Sequence, residues 1–470
     1  MLIPFATNSY AHDSLPISAQ RTVNLYAERQ PPDAKTQVSV HGAPGIVTFA
    51  TCGEGPIRGA HVMGGLLYVV SGPWLYSVTN AATPVATRLG GQVTGSGVVS
   101  IDDNGTELCI TNGASGYLYS TTGGFRAITD ASFGAANRVT FMNGFFLVDR
   151  VGTGEVFRSD LLDGSNYDST ASATAESKSD NTQSVFNLKE VLHVFGVETT
   201  ELWQNTGSAN FPFGRIPGAV INRGIIAPLA FATEDESLFL IGNDRIAYKV
   251  GGTQLGRISQ HAIERTWQKY RTVSDAFGVA KSHNGHKFII FTFPTEAASW
   301  QYDISTGFWS ERESRDINGV SLKRWCGNCV VQAYGKTIVG DAFSGQIGYL
   351  TDTVFTEFSR PIYAQATGTV LHASRKRGFM SLFELDMEVG VGLTTGQGSD
   401  PQVMLDISDD GGRTWSDQQP WQSLGALGNY TKRLRWKRLG NFFQRIMRVT
   451  ISDPVRRTII AANADIKIGM

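Results

Sequence analysis

Three short motifs in this 470-residue chain carry side chains that could do chemistry. Residues 408–415 read Ser-Asp-Asp-Gly-Gly-Arg-Thr-Trp, residues 326–329 read Cys-Gly-Asn-Cys, and residues 283–286 read His-Asn-Gly-His. An acidic turn of the first kind can hold a hairpin together. Two thiols at the second spacing can bind zinc or form a redox pair, and two imidazoles can ligate a metal. Whether any motif forms a site depends on the partners that the rest of the sequence supplies.

The first motif has the Asp-box spacing of sialidases and related propellers, in which it forms a hairpin turn. We expect Asp410 to accept hydrogen bonds from turn amides, Gly412 to take a positive φ and Trp415 to pack beneath the turn. The motif occurs once, and no other motif supplies the several arginines and the Tyr/Glu pair that a sialidase uses. We therefore interpret its residues as a structural turn: Ser408, Asp410, Gly412, Thr414 and Trp415.

The cysteines and histidines lack the sequence neighbours that a metal or redox site needs. Zinc needs four ligands, yet Cys52 and Cys109 stand alone, far from the pair at 326–329. A redox pair would begin a helix, and this pair lies between strand-like runs. No third histidine or carboxylate accompanies residues 283–286, and the chain has no G-x-S-x-G, H-E-x-x-H or phosphate-loop motif. The sequence therefore predicts no catalytic residue, no metal site and no cofactor, and we expect a protein that is not an enzyme.

A basic cluster near the C-terminus is the strongest charge asymmetry in the chain. Residues 432–457 contain a single acid, Asp453, among many lysines and arginines, whereas the whole chain has a net charge of −1. Alternate residues of a strand share a face. That face could be solvated, or it could meet an acidic partner subunit or passing nucleic acid, and we favour the partner subunit. The residues considered for this role are Arg433, Arg435, Lys437, Arg438, Arg445 and Arg448.

Composition limits the class of protein. Hydrophobic residues make up 41% of the chain, enough for a substantial core, and charged residues only 18%. The 52 glycines favour short strands joined by tight turns. No apolar run approaches the ~20 residues of a membrane helix, and the N-terminus lacks the basic start and apolar stretch of a signal peptide. We therefore expect a β-rich protein that folds in a cytoplasm and has no membrane anchor.

Hairpin signals repeat along residues 57–350 with a period of roughly 30–45 residues, the range of propeller blades. Asn-Gly pairs, such as those at 104–105 and 143–144, separate apolar runs and favour tight hairpins. We therefore predict an all-β fold with a β-propeller of six or seven blades over residues 57–350. An extended N-terminal arm over residues 1–56 should precede it, and a C-terminal β-sandwich-like domain over residues 351–470 should follow it.

Two segments of the predicted propeller depart from the hairpin pattern. One short inserted helix is predicted over residues 259–270, with Ser259 as its N-cap and Ile263 and Trp267 as an apolar i, i+4 pair. Residues 165–183, rich in Ser, Thr, Ala and Asp, have no hydrophobic anchor and are expected to form a mobile loop.

Several blocks of sequence, in the same order along nearly the whole chain, resemble the packaged-DNA stabilisation proteins of short-tailed bacteriophages, the tail hub or nozzle proteins. These blocks are Gln20–Glu28, Gly42–Gly45, Gly55–Gly59, Leu67–Gly72, Ser259–Arg312 and Leu434–Gly440. The resemblance implies a structural protein of the virion tail that is made and assembled in the cytoplasm of a bacterial host. It further implies a ring of six copies below the portal and adaptor proteins.

In that family such a ring extends and closes the DNA channel, retains packaged DNA and anchors the tail needle or plug and the tail fibres or spikes. Transient proximity to viral DNA follows from this position. We hypothesise that ring assembly uses the propeller flanks and the predicted helix, with Ile263 and Trp267 as candidate assembly residues.

Two alternatives from other functional classes remain open. A sialidase-like, glycan-cleaving propeller would need two carboxylates facing one another across a cleft, for which the sequence offers Glu155, Glu201 and Asp303. A glycan-binding protein could instead stack sugars on tryptophans of the C-terminal domain. The tryptophans considered are Trp415, Trp421 and Trp436.

Overall fold

A computed structural model of the chain describes residues 2–3, 5, 8–416 and 419–469. These residues form an all-β propeller with one short helix, followed by a C-terminal β-sandwich. The N-terminal segment contributes β1 (Leu2–Ile3), β2 (Tyr10–Ala11), β3 (Ala19–Val23), β4 (Leu25–Arg29), β5 (Val38–Gly42) and β6 (Gly45–Thr51).

Six propeller blades are each made of four consecutive antiparallel strands. The first three are β7 (Ile57–Met63), β8 (Leu66–Ser71), β9 (Trp74–Val78) and β10 (Ala86–Gly90); β11 (Ser100–Asp103), β12 (Glu107–Thr111), β13 (Gly116–Ser120) and β14 (Gly124–Ala127); and β15 (Val139–Met142), β16 (Phe145–Asp149), β17 (Glu155–Asp160) and β18 (Asp163–Thr174). The next three are β19 (Thr182–Leu188), β20 (Val191–Gly196), β21 (Thr200–Asn205) and β22 (Phe213–Ile221); β23 (Phe231–Glu234), β24 (Ser237–Ile241), β25 (Ala247–Gly251) and β26 (Gln254–Arg257); and β27 (Phe277–His283), β28 (His286–Phe293), β29 (Ala298–Asp303) and β30 (Trp309–Glu311).

The ring closes on an N-terminal strand. The strands β31 (Gly327–Ala333), β32 (Lys336–Asp341) and β33 (Gln346–Thr351) form a further blade, and β6 pairs with β33 as its outer strand. Gly45 of β6 tolerates no side chain, because a Cβ there would lie 2.0 Å from the carbonyl oxygen of Val354. The predicted six or seven blades therefore correspond to six blades of consecutive strands and one that β6 completes.

Asn-Gly pairs lie at the predicted hairpins, although at 104–105 only Gly105 has a positive φ and the turn is longer. Asn143 and Gly144 join β15 to β16 with φ of 50° and 91°, and Asn284 and Gly285 join β27 to β28 with φ of 49° and 77°. Both central residues of such a turn need positive φ, which asparagine and glycine adopt at low cost. Local chemistry thus fixes the register of these hairpins.

Helix α1 (His261–Gln268) lies between the fifth and sixth blades. It is shorter than predicted, and its N-cap is Gln260 rather than Ser259. The Ser259 hydroxyl instead donates to the Glu264 carboxylate at 2.6 Å and accepts from the Ala247 N–H at 3.0 Å. The predicted cap residue therefore ties the start of the helix to the fifth blade.

The C-terminal domain packs two antiparallel sheets on one hydrophobic core. One sheet has the order β4-β5-β44-β38-β41, and the other has the order β3-β36-β43-β39-β40. The remaining strands of the chain are β34 (Thr356–Glu357), β35 (Arg360–Pro361), β36 (Ala364–Thr367), β37 (Leu371–His372), β38 (Gly378–Met387), β39 (Gln402–Ser408), β40 (Gln422–Ser423), β41 (Leu434–Lys437), β42 (Asn441–Phe442), β43 (Gln444–Ile451) and β44 (Thr458–Ile468).

The N-terminal segment is part of both domains and not the extended arm that was predicted over residues 1–56. Its strands β3, β4 and β5 belong to the sandwich sheets, and β6 belongs to the propeller. The strand β3 also pairs with β30, so one continuous sheet runs from the sixth blade into the sandwich. Proline-glycine turns excluded a helix correctly, but the partners of these strands lie hundreds of residues away. The segment therefore fastens the two domains together.

The residues expected to form a mobile loop lie partly in the long outer strand β18. Tyr167 buries its ring in the third blade, 3% exposed, and packs on Phe133 with ring centroids 4.9 Å apart.

Among the described residues, no helix is long and apolar enough to cross a membrane.

Candidate functional site

The channel of the propeller is one concave feature of the first domain. It is bounded by the innermost strands of the blades, and residues of these strands line two pockets of about 380 Å³ and 170 Å³. Arg138 lines both pockets, with Phe186, Phe231 and Lys281 around the larger one. The Arg138 side chain therefore lies between the two pockets of the channel.

Arg138 precedes β15 and reaches across to the next two blades. Its guanidinium carbon lies 4.8 Å from the ring centroid of Phe186 and 4.5 Å from that of Phe231, within the range of cation–π contacts. Burial lowers the pKa of Arg138 to about 10, so the side chain stays cationic at neutral pH. The channel thus presents a fixed positive charge between two aromatic faces.

A second cluster at the channel was not indicated by any sequence motif. His61 Nε2 lies 2.6 Å from Asp103 Oδ2 and links the inner strands of the first two blades. The adjacent Asp102 accepts a hydrogen bond from the Phe141 N–H at 2.8 Å and links the second blade to the third. One imidazole and two carboxylates could share a metal ion. Because each group already bonds across a blade boundary, we interpret the cluster as a structural bridge.

The domain junction is a cluster of titratable groups around Tyr26 of β4. Three imidazole rings, those of His41, His283 and His286, have centroids 5.7, 6.3 and 5.0 Å from the Tyr26 ring. The two histidines predicted at the 283–286 turn therefore meet the sandwich rather than form an exposed turn. Carboxylates and cations surround them: Glu28, Lys281, Asp303, Arg312, Asp352, Glu388 and Arg456.

The pKa values of the three junction histidines do not all shift in the same direction: those of His283 and His41 are lowered and that of His286 is raised. Burial, reinforced by the nearby Lys281 charge, lowers the pKa of His283 to about 4 even though its Nε2 lies 2.8 Å from Asp352 Oδ1. That contact lacks hydrogen-bond geometry. Burial also lowers the pKa of His41, whereas the 2.7 Å hydrogen bond to Asp303 raises the pKa of His286.

We expect acid to destabilise this junction through His283 and His41. A histidine with a depressed folded pKa binds its proton in the unfolded chain first, so stability falls as the pH drops from about 6.5 towards about 4. His286 acts oppositely, and its contribution is lost as the pH rises through its raised pKa. His283→Gln should therefore flatten the loss of unfolding free energy between about pH 6.5 and pH 5. The exposed His372→Gln is the control in denaturant titrations at each pH, and equal slopes for both variants would contradict the expectation.

The candidate assembly residues of the helix are core residues, which corrects their predicted role. Ile263 is 1% exposed and Trp267 fully buried. The Trp267 ring packs against Phe293 and Trp309, with centroids 5.6 and 5.8 Å away. The amphipathic stripe was real, but it faces the chain's own sixth blade. Neither side chain can contact a partner without local unfolding.

The basic cluster is largely neutralised by acids that are distant in sequence. Arg433 and Arg435 both bind Glu384 on the neighbouring strand β38, at 2.6 and 3.0 Å. Arg445 makes two 2.7 Å hydrogen bonds to Asp409. A further predicted member, Arg448, binds Asp406 at 2.9 Å and stacks on Trp415 at 4.1 Å. Of the six residues considered, as the structure describes them, Lys437 and Arg438 are exposed and make no ion pair, whereas the other four are paired with acids, so the cluster is not a continuous cationic face.

The Asp-box residues form the turn that their spacing predicted. The Asp410 carboxylate accepts the N–H groups of Arg413 and Thr414 at 2.9 Å, and these bonds, with those from the Thr414 and Ser408 hydroxyls, hold the pKa of Asp410 below its usual range. The Ser408 hydroxyl accepts the Gly412 N–H at 2.7 Å, and Gly412 has a φ of 95°. The turn satisfies its own polar groups, which fits a structural role.

The carboxylates offered for a glycan-cleaving site lie on three different blades and are engaged elsewhere. Glu155 pairs with Arg150 at 3.3 Å, and Glu201 is buried and accepts the Trp203 Nε1–H at 2.7 Å. The third carboxylate, Asp303, holds the junction histidine. Their separate engagements give no paired general acid and base.

Among the tryptophans considered for sugar binding, Trp436 has an internal role and Trp421 does not. Trp436 is 1% exposed and donates to the Pro420 carbonyl at 2.7 Å, whereas Trp421 is exposed. Burial raises the pKa of Cys329 to about 12 and that of Cys326 well above its usual range. Neutral buried thiols are poor metal ligands and poor redox groups.

Family models identify both domains. A model described as the β-propeller of bacteriophage P22 Gp10 matches residues 1–355, and one described as the β-sandwich of the same protein matches residues 364–467. No curated protein sequence gives a significant match. The two matched ranges meet where the propeller gives way to the sandwich.

Solved structures similar to the chain share little of its sequence. The WD40 β-propeller domain of Doa1 is 14% identical over 66% of this chain and 97% of that chain, with a TM-score of 0.42. PorZ, from the type-IX secretion system of Porphyromonas gingivalis, is 11% identical over 72% and 44%, with a TM-score of 0.40. The N-terminal domain of Nup159 is 10% identical over 71% and 99%, with a TM-score of 0.39. None is similar enough for its function to be transferred, and the family matches alone establish that the chain belongs to the bacteriophage P22 Gp10 family of phage structural proteins.

Proposed function

We propose that several copies of this protein form a ring in the phage tail, below the portal and adaptor proteins. The ring would extend and close the DNA channel, retain packaged DNA and anchor the tail needle or plug and the fibres or spikes. Six copies are expected from the family resemblance. The role is structural rather than catalytic, and its setting is the virion tail after assembly in the host cytoplasm. The family match across both domains is the observation that carries the proposal.

The narrow propeller channel supports a ring of copies rather than a single propeller as the DNA conduit. The two pockets in the channel hold about 380 and 170 Å³, and the Arg138 side chain crosses between two aromatic rings. The major groove of B-DNA alone is about 12 Å wide. Because the Arg138 side chain and the rings of Phe186 and Phe231 meet in the hole of one propeller, we expect a DNA conduit to form between copies rather than through one chain.

An exposed apolar end of the sandwich is a suitable assembly surface within this proposal. Phe379 of β38, Phe443 after β42 and Ile468 of β44 are 46%, 56% and 59% exposed. Their strands pair with one another at this end, and Arg377 lies 5.1 Å from the Phe443 ring centroid. Clustered apolar residues of this kind commonly mark contacts between proteins.

The ring is tested by measuring the mass of the purified chain, alone and with a portal–adaptor assembly, by light scattering, with electron microscopy of the same samples. We expect a closed ring on the portal. Phe379→Asp should lower the fraction of assembled chain, whereas Ser381→Asp, which adds the same charge at an exposed position of the same strand, should not. A wild-type chain that stays monomeric and ignores the portal would contradict the proposal. Equal assembly of both variants would remove only the Phe379 surface.

A further inference from the structure

The Arg138 guanidinium lacks a protein anion of its own. Among the described residues, no carboxylate lies within ion-pair distance of it, and its Nε atom is buried without a hydrogen-bond partner. Arg138 is half-buried and lines both channel pockets, so folding removes part of the water of its guanidinium and leaves Nε without a protein partner, which is unfavourable. The cost would be offset by a ligand that enters the channel and accepts the guanidinium hydrogen bonds.

The two nearest acids are already committed to backbone and amide groups. Asp149 accepts the N–H of Arg138 itself at 2.8 Å and the side-chain amide of Asn137 at 2.8 Å. Burial raises the pKa of Asp149 to about 7, so its carboxyl is only partly ionised near neutral pH. Asp102 accepts the N–H groups of Phe141 and of Asp103. The charges of both acids raise the pKa of Arg138, but neither acid lies within ion-pair distance of its guanidinium.

The surroundings of Arg138 have the size and shape of a small-ligand site. The larger pocket, about 380 Å³, has the volume of small-molecule sites in proteins. The rings of Phe186 and Phe231 hold the guanidinium in a fixed position, so little side-chain entropy would be lost on binding. Glu234, which also lines this pocket, is paired with Lys287 at 3.3 Å and does not compete for Arg138.

We propose that the propeller channel binds a small oxyanion, a carboxylate or a phosphate, through the Arg138 guanidinium. The planar fork of arginine matches both groups, because it can donate two parallel hydrogen bonds to adjacent oxygens. The occupant would sit beside the two phenylalanine rings and complete the centre of the propeller. This site is independent of the ring proposed above, since it needs no second copy.

Calorimetric titration of the full chain with inorganic phosphate, and separately with succinate, at constant ionic strength tests the site. We expect saturable binding of at least one of them, with one site per chain. Binding of phosphate alone would assign the phosphoryl class, binding of succinate alone the carboxylate class, and binding of both a general oxyanion site. If neither anion saturates the wild-type chain, the proposal is wrong.

Arg138→Gln should weaken the binding at least about tenfold, the effect of losing roughly 1.4 kcal/mol of binding free energy. Arg88→Gln is the matched control, because Arg88 also stacks on a ring, that of Trp74 at 4.3 Å, but lies exposed outside the channel. If Arg138→Gln does not fold, Arg138→Lys is measured instead. It should also bind the anion more weakly, because lysine keeps the positive charge but cannot donate two parallel hydrogen bonds. Affinity in the folded Arg138 variant equal to that of Arg88→Gln would overturn the proposal.

Discussion

Replacing Trp267 with alanine is expected to lower the free energy of unfolding by about 3–5 kcal/mol. The side chain is fully buried where α1 meets the sixth blade, and four aromatic rings lie within 6.5 Å of its centroid. Truncation would remove these contacts and leave a cavity between rigid strands that cannot collapse to fill it. Because the indole Nε1 has no hydrogen-bond partner among the described residues, its loss leaves no polar group unpaired.

The matched control for this variant is Trp421→Ala. Trp421 lies in the sandwich and is 63% exposed, so the same chemical change there should alter the unfolding free energy by no more than about 0.5 kcal/mol. Both variants are compared in denaturant titrations of the purified chain, monitored by circular dichroism. Equal effects of the two substitutions would mean that α1 contributes little to the stability of the propeller.

The helix shows what a local pattern can predict and what it cannot. The spacing of Ile263 and Trp267 indicated an amphipathic helix, and the structure has one at His261–Gln268. The pattern carried no information about which surface would cover the apolar stripe. That surface is formed by β28 and its neighbouring strands. The sequence shows their aromatic residues, but it does not indicate that these residues pack against the helix. The assembly role was wrong for this reason.

Strand pairing over long sequence distances explains the other corrections. Hairpins such as β15–β16 join residues a few positions apart, so their turn chemistry alone predicts them. The strand β6 instead pairs with β33, about 300 residues later, and no short-range pattern encodes that partner. The ion pairs of the basic cluster were not predicted for the same reason, because Glu384 and Asp406 reach it from strands elsewhere in the sandwich. Arg138 belongs to no recognisable motif, and its neighbours in the sequence did not indicate that it would lie in the channel.

Replacing Glu357 with leucine is expected to destabilise the chain by about 3–5 kcal/mol, as found when one partner of a buried ion pair is removed. Glu357 is 1% exposed and lies on β34, which extends the last blade towards the sandwich. Its carboxylate accepts hydrogen bonds from Arg312 at 2.8 Å, from Trp325 Nε1 at 3.1 Å and from the Ser314 hydroxyl. One carboxylate therefore organises three buried donors between the two domains.

The expected loss is large because cations around Glu357 would be left without an anion. Arg312 is fully buried, and its Nε and Nη1 atoms already lack partners among the described residues. Burial lowers the pKa of the neighbouring Lys281 well below its usual range, and the Arg312 charge acts in the same direction. Without Glu357 the two cations would lose the carboxylate that favours their charged forms, and aromatic contacts would offset only part of the cost of burial.

An exposed ion pair supplies the control for Glu357→Leu. Glu198 binds Lys178 at 2.8 Å with both side chains more than half exposed, so Glu198→Leu should cost less than about 1 kcal/mol. The double variant Arg312→Met/Glu357→Leu should lose at least about 1 kcal/mol less unfolding free energy than the sum of the losses in the two single variants, because it removes the unpaired charge together with its partner. Denaturant titrations of the wild-type chain, the single variants Arg312→Met and Glu357→Leu, and the double variant measure this coupling. If the losses of unfolding free energy are additive in the double variant, Glu357 acts through Trp325 and Ser314 rather than by neutralising Arg312. A small loss in Glu357→Leu alone would mean that water already reaches this ion pair.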